Sequence, residues 1–448
     1  MTLLKRVLIL LASLAGAILS LATGPLITCS ADPFQHPPII QPSVDFWLSI
    51  YTRYSLMEGI VHDSRHPEII YDVIALKHPD APEAHRINAA RMRKARLKVC
   101  DQLDRLIGDP HSHDPDLKPI ADLWRTALSP DQLRRAKRRI RCQVGQRDRF
   151  REGLIRSSPY IETIRTIFRN AGLPEDLAYL AHVESSFNNR AHSKSGAAGI
   201  WQFTRETGRH YLRINPAIDE RLDPIRASEA AAKLLKTNYR KLGSWPLAIT
   251  AYNHGIAGMR RAKRRHKSYT AIFQNYRSRR FRFASRNFYP EFLAAREAAI
   301  NAQGYFHDLP PREERPVLRI SLNGFVPFNA AARHFKLDAD LLQQLNPALR
   351  LSVLKGHQYI PKHYALCVPA HEWHYRLAYN ARIPQPLFMA GQKRFPIYHV
   401  RRGDTLSSIA KKHDLRVVDL VAANNLADRG NRIVVNQKLR LPLGDQAL

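Results

Sequence analysis

Cysteine is scarce in this 448-residue chain: Cys29, Cys100, Cys142 and Cys367 are the only four. None stands in a C-x-x-C pair, so the spacing excludes the common zinc and thiol-redox motifs. No metal site and no cofactor is expected. Acidic residues are also short, 39 Asp and Glu against 70 Lys and Arg, which leaves a formal net charge of +31 and a pI near 10.4. Such a balance points to an anionic partner: nucleic acid, anionic lipid or a carboxylate-rich polymer. The positive charge is spread along the chain and not confined to one tail. Long hydrophobic runs are missing apart from Val7 to Ala22, which falls short of the ~20 residues of a membrane span. Lys5 and Arg6 precede that run, and Gly24 and Pro25 follow it. Residues 1–31 therefore read as a signal peptide, and the chain as exported to a periplasm or cell envelope.

What is present is enough for real cores, with 44% hydrophobic residues, and room for two to four domains of ~100–200 residues. Leu26-Ile27-Thr28-Cys29 loosely resembles a lipoprotein cleavage box. Thr28 stands where Gly or Ala is usual, so cleavage near Ala31 or after Ala22 is the plainer reading, and membrane or outer-membrane association stays open. Export permits disulfides. Cys100 and Cys142, in neighbouring helical segments, are the best pair, with buried free thiols as the alternative.

The stretch that organises the chain runs GLPEDLAYLAHVESSFNNRAHSKSGAAGIWQF, from Gly172 to Phe203. Gly172 reads as a helix stop and Pro174 as the first turn of the next helix. Leu177, Leu180 and Ala181 lie at i, i+3 and i+4, and the next position on that apolar stripe is Glu184. Burial raises a carboxyl pKa, as a general acid near neutral pH requires. The plain alternative is a Glu that swings out to solvent at a helix end. Ser193, Ser195, Gly196, Ala197, Ala198 and Gly199 then form a run with little side-chain bulk, which lets a ligand approach the backbone. Ile200 to Phe203 resume a helical pattern. Trp201 reads as core before sugar platform, and Gln202 has the donor and acceptor to read an acetamido group.

VESSFN, then HSKSGAAGIWQF, then AYNHG at Ala251 to Gly255 resemble, in order and spacing, the lytic transglycosylase family. The resemblance covers roughly Arg151 to Gly304. It implies a lysozyme-like helical catalytic domain, here residues 151–305. It implies Glu184 as the catalytic acid and base, and Ser185, Ser195, Ala198, Gly199, Ile200, Gln202, Tyr252 and Asn253 as substrate-binding residues. Tyr252 is placed beside Glu184, within reach of a hydrogen bond. Phe288-Tyr289-Pro290 resembles a late family motif in which a Tyr normally occupies the Phe288 position. An acidic residue that often precedes it is replaced by Ala284, and Tyr289 is the neighbour that could supply the phenol.

Around that domain, residues 32–150 read as a basic N-terminal helical region. Phe46, Trp47, Ile50 and Tyr51 make one apolar stripe, and Leu97, Leu103 and Leu106 suggest another. Arg134 to Arg141 reads as a solvated helix face. Asp219 and Asp223 are candidates for a second carboxylate, better explained as turn and cap residues; Asp223 with Pro224 opens an Ala-rich helix. Arg260 to Lys267 and Arg277 to Arg286 form two basic clusters, read either as solvated surface or as an attraction for an acidic polymer. Residues 312–370 faintly resemble a degenerate LysM repeat. Residues 396–444, with YHVRRGDTLSSIA and a later NNL, resemble a LysM domain, a β-α-α-β module that binds N-acetylglucosamine-containing glycans. That resemblance implies glycan contacts from Gly403, Asp404, Thr405, Leu406 and Asn424.

The expected fold is mainly α: a lysozyme-like transglycosylase domain, an N-terminal helical region and small β-α-α-β LysM modules. The expected function is cleavage of the MurNAc-β-1,4-GlcNAc bond of peptidoglycan without water, leaving 1,6-anhydromuramic acid ends. The partners are peptidoglycan glycan strands. The alternatives are a hydrolytic muramidase using Asp219 or Asp223, and a non-catalytic peptidoglycan-binding protein. A nucleic-acid binder is suggested by charge alone and opposed by the export signal and the lack of a base-stacking pattern.

Overall fold

A computed structural model describes residues 32–34, 36–124, 129–193, 195–312, 316–370, 384–426 and 432–442. The chain divides into Met1–Gln35 and His36–Leu448. The expected signal peptide and its lipoprotein-like box lie outside the described residues. Among the described residues no helix is long and apolar enough to cross a membrane.

Helix Gln41–Thr52 buries the expected stripe of Phe46, Trp47, Ile50 and Tyr51. The N-terminal region is not wholly helical, however. Strands β1 (Glu58–Asp63), β2 (Ile70–Ala75) and β3 (Ile140–Val144) form an antiparallel sheet in the order β2-β1-β3. Ile60 stands opposite Val73 and Gln143, and Val61 opposite Cys142. Runs of five or six residues are too short for periodicity alone to separate strand from helix. Helix Ala84–Gly108 packs Val99, Leu103 and Leu106 onto this sheet, whereas Leu97, expected on that stripe, is 55% exposed.

Cys100 lies on that helix and Cys142 on β3, and both are free thiols. The expected disulfide is not made. The Cys142 thiol donates to the Met92 carbonyl at 3.5 Å, and burial raises its pKa, so it behaves as a packing residue.

The region expected to be catalytic includes helices Pro224–Leu242, Trp245–His254 and Phe283–Ile300. Asp223 caps the first, accepting from the backbone N–H groups of Ile225 and Arg226, and Gly243 ends it in the left-handed region. Behind this lies a strand-helix-helix-strand unit. It comprises β4 (Val317–Ser321), helices Phe328–His334 and Ala339–Leu345, and β5 (Ala365–Pro369) antiparallel to β4. Its core takes in Ala217 and Ile218 from the catalytic region, so the two are packed together. The last module repeats the order: β6 (Ile397–His399), helices Leu406–Lys412 and Val417–Asn424, and β7 (Lys438–Arg440). Buried Asn425 ties it to both neighbours. Its amide donates to Pro216 O at 2.8 Å and its carbonyl accepts from Ser352 N at 3.2 Å.

Candidate active site

The site begins with a helix that is forced to stop. Gly172, at φ 69°, ends helix Ile161–Asn170. Pro174 sets the next turn, a 3₁₀ segment Glu175–Tyr179 that runs into helix Leu180–Ser185. Leu177, Leu180 and Ala181 are fully buried. Ser186 and Phe187 then adopt φ 49° and 55°, a conformation uncommon for residues with a Cβ. It is held by Ser186 N donating to His182 O and by Arg156, which donates to Ser186 O at 2.8 Å. His182, on the opposite side of the helix from Glu184, is buried between Phe150 and Phe187. Burial drives its pKa down to about 3, so it stays neutral and takes no part in proton transfer near pH 7.

Glu184 is half-buried by surface area. Its carboxyl nonetheless has protein on nearly every side, and burial, with the charge of Glu291 adding, pushes its pKa up to about 8. The low-bulk loop folds up to it through Ser185, whose hydroxyl donates to Ile200 O at 3.0 Å. The loop is not helical at Ile200 to Phe203. Ala198 pairs with Phe203 as an antiparallel bridge and Gln202 sits at φ 47°. The cause is Gly199, at φ 79°, where an added Cβ would lie 1.8 Å from Arg221 O. The close approach that this glycine permits is to the protein's own backbone and not to a ligand. Gln202 likewise spends its amide on the loop, donating to Gly199 O at 2.9 Å and Ala191 O at 3.3 Å. Trp201 is core, fully buried and donating from its indole nitrogen to Ser228 Oγ at 2.8 Å. Ser195 stands on the outer turn against Ser193 Oγ.

From the other side, Tyr252 donates to Trp201 O at 2.8 Å, not to Glu184 as expected. Its ring stacks parallel on Phe288, 6.4 Å between centroids and 5° between planes. Burial and the Glu184 charge hold its phenol far above the usual range, so it remains a donor. Asn253 accepts from Ser285 Oγ at 2.7 Å. The structure thus ties Ser185 to Ile200 and Tyr252 to Trp201 on the same loop, and brings Tyr252 near enough to Glu184 to feel its charge. Tyr289 does not supply the phenol missing at Phe288: it is fully buried, edge-on to Tyr269.

The aspartates considered as a second carboxylate are committed elsewhere. Asp219 is buried and paired with Arg221 at 2.7 Å and Arg350 at 3.5 Å, and Asp223 caps its helix and receives Arg319 at 3.2 Å. The carboxyl that does act on Glu184 is Glu291, one helical turn beyond Phe288 on helix Phe283–Ile300. Burial raises its pKa to about 8 as well, even though Arg141 acts to lower it. Tyr51 faces both carboxyls, and burial together with their charges keeps its phenol protonated. Arg141 comes from β3, its guanidinium 4.3 Å above the Phe283 ring, so the run Arg134 to Arg141 is not one helix face: the helix ends at Lys137 and the run finishes on a strand. The N-terminal region therefore supplies a phenol and a cation to the site. The sequence signal was available: NFYPEFLAA is an apolar run with one carboxylate, at i+3 from Phe288.

In the C-terminal module, Gly403 at φ 88° turns the chain. Asp404 accepts from Arg401 N at 2.6 Å and Tyr398 OH at 2.8 Å. Thr405 closes a capping box with Ser408, and Leu406 packs on the module's core. Asn424 is a structural residue: its amide donates to Leu420 O and Arg440 O, and its carbonyl accepts from Arg440 N at 2.7 Å. Among the described residues no group of three or more His, Cys, Asp or Glu could hold a metal.

Residues 164–274 match the Transglycosylase SLT domain and residues 398–442 the LysM domain. Over 348 residues the chain is 28% identical to membrane-bound lytic murein transglycosylase D of Escherichia coli strain K12, covering 74% of this chain and 75% of that one. The same figures hold for the protein of that name from Escherichia coli O6:H1. Glu184 and Tyr252 fall inside the SLT match and Glu291 outside it. With an SLT domain that holds the half-buried Glu184 and a LysM domain after it, the chain is a peptidoglycan lytic transglycosylase.

Proposed function

We propose that the chain cuts the MurNAc-β-1,4-GlcNAc bond without water, with Glu184 acting first as acid and then as base. Glu184 donates its proton to the glycosidic oxygen, and that C–O bond breaks. The acetamido carbonyl of the MurNAc unit stabilises the cationic C1. The Glu184 carboxylate then takes the proton of the C6 hydroxyl as its oxygen closes on C1. A 1,6-anhydro ring forms, and Glu184 regains its proton. The observation that carries this reading is Glu184 at the end of a buried apolar stripe inside the SLT match, where burial raises its pKa to about 8. Gln202 and Tyr252 support the site by fixing the loop, through Gly199 O and Trp201 O. Ser185, Ser195, Ala198, Gly199, Ile200 and Asn253 shape or rim the sugar path. The test is the mass of muropeptides released from purified sacculi: products one water lighter than lysozyme products are expected, and reducing ends throughout would overturn it.

A hydrolytic reading is favoured by one observation, the second carboxyl, and its base would be Glu291 rather than Asp219 or Asp223. Glu291→Gln separates the two. Burial raises Glu291 itself to about 8 despite Arg141, so its charge, which adds to the rise of the Glu184 pKa, develops on the alkaline side. Removing that charge lowers the pKa of the acid. The alkaline limb of kcat/KM is therefore expected to move down in pH, with activity near pH 5.5, where both carboxyls are protonated, kept within about threefold. A loss of about 10²-fold or more at every pH would instead make Glu291 the base that activates water.

We further propose that the LysM domain targets the enzyme, with Gly403, Asp404, Thr405 and Leu406 forming its glycan-facing turn, and that residues 312–370 serve as a second, degenerate module. Truncation after Pro384 is expected to weaken binding to sacculi while leaving Glu184-dependent cleavage measurable; unchanged binding in a pelleting assay would count against targeting. The signal-peptide layout, and the relatives described as membrane-bound, support a place in the cell envelope.

A further inference from the structure

Between Glu229 and Glu291 the chain has no acidic residue at all, yet it carries fifteen Lys and Arg. That run covers the end of helix Pro224–Leu242, helices Trp245–His254, Ile256–His266 and Tyr269–Asn275, and the start of helix Phe283–Ile300. Two concavities open on it. One, of about 300 Å³, is lined by Lys241, Arg260, Lys263, Arg264 and Lys267 and by nothing else. The other, of about 480 Å³, is lined by Arg261, Arg279 and Arg280 with His254, Tyr276 and Ser278. The second starts at the end of the helix that carries Tyr252, one residue past Asn253.

None of these cations has a carboxylate partner within the described residues. Lys263 donates to the Leu242 carbonyl instead. The crowding acts on His254, whose pKa is lowered by burial and then by Arg261 and Arg280. Like charges gathered without counter-ions cost stability. A merely solvated face would disperse them or intersperse acids, as the paired arginines Arg165, Arg169 and Arg296 do elsewhere.

We propose that this surface binds the carboxylates of the peptides that hang from the glycan strand being cut. The inference rests on the peptidoglycan reading above. The cleft cuts the glycan, and a four- or five-residue peptide attached there reaches about 13–18 Å when extended, far enough to leave the cleft and lie along the neighbouring helix. Arginine presents the forked donors that pair with free carboxylates, and the absence of acids on this surface removes competition for them.

The experiment compares two substrates, strands bearing their peptides and the same strands stripped by an amidase. Two variants are used: Arg260→Gln with Arg264→Gln, and Arg261→Gln with Arg279→Gln and Arg280→Gln. The wild type should prefer peptide-bearing strands, and the preference should shrink as salt rises. Each variant should lose about five- to tenfold in kcat/KM on peptide-bearing strands, as expected for two or three exposed ion pairs. On stripped strands it should stay within about twofold, which also shows that the variant is folded. Equal rates on both substrates for wild type and variants would overturn the inference while leaving the peptidoglycan reading intact. So would variants that keep the preference but lose binding to anionic phospholipid vesicles, which would assign the surface to a membrane. No cleavage of either substrate by the wild type would instead overturn the reading itself.

Discussion

Glu184→Gln is expected to lower turnover of sacculi by about 10²–10⁴, the usual worth of a positioned acid–base group. The amide fills the same space on the buried stripe of Leu177, Leu180 and Ala181 and retains hydrogen-bonding capacity, but it has no proton to give the leaving oxygen. Folding should survive. The folded pKa of Glu184 is raised from 4.5 to about 8, so the neutral carboxyl suits the fold. The stability that goes with it is present below the unfolded pKa and is lost as pH rises through about 8. The variant should therefore melt higher than wild type at pH 9, by an amount equivalent to about 2 kcal/mol, and differ little at pH 4. Turnover on sacculi and thermal melts at the two pH values check both halves. Full activity in Glu184→Gln would remove the mechanism.

Gly199→Ala is expected to cost about 3 kcal/mol and to take most activity with it, through strain at positive φ and overpacking together. A Cβ there would lie 1.8 Å from Arg221 O. That carbonyl is fixed because Arg221 is 3% exposed and its side chain bridges Asp219, Gly196 O and Phe203 O at 2.7, 2.8 and 3.0 Å. The loop would have to move off the catalytic helix, carrying Ile200 away from Ser185. Gly196→Ala is the control. Its φ is 81°, but an added Cβ meets nothing within 4 Å, so only the conformational cost of about 1 kcal/mol is expected. Equal melting temperatures for the two variants would show that the contact with Arg221 does not constrain the loop.

Much of the site is legible in sequence because it is local. The stripe that ends at Glu184, the stop at Gly172, the Asp223–Pro224 cap and the strand-helix-helix-strand order of residues 396–444 each follow from side chains a few positions apart. Backbone geometry fixes which of those neighbours share a face. The same locality explains why Asp219 and Asp223 read correctly as turn and cap residues. That Phe288 stands where a Tyr is usual is, by contrast, implied only by the family resemblance, and what stands near it was not legible at all.

Tertiary structure decided the rest, and in each case the deciding partner is distant in the chain. Gly199 is glycine because of Arg221, and Tyr252 is tied to Trp201 rather than to Glu184. Asn424 spends its amide on Arg440. The thiols of Cys100 and Cys142 stay free because β3 turns Cys142 toward Met92. Glu291 is the clearest case. In sequence it is one carboxylate in an apolar helix. Only the packing of helix Phe283–Ile300 against helix Leu180–Ser185, with Tyr51 and Arg141 brought in from the N-terminal region, sets it to act on the proton of Glu184. A pKa depends on the dielectric and the charges around a group in space, and a sequence specifies those only through the fold it makes.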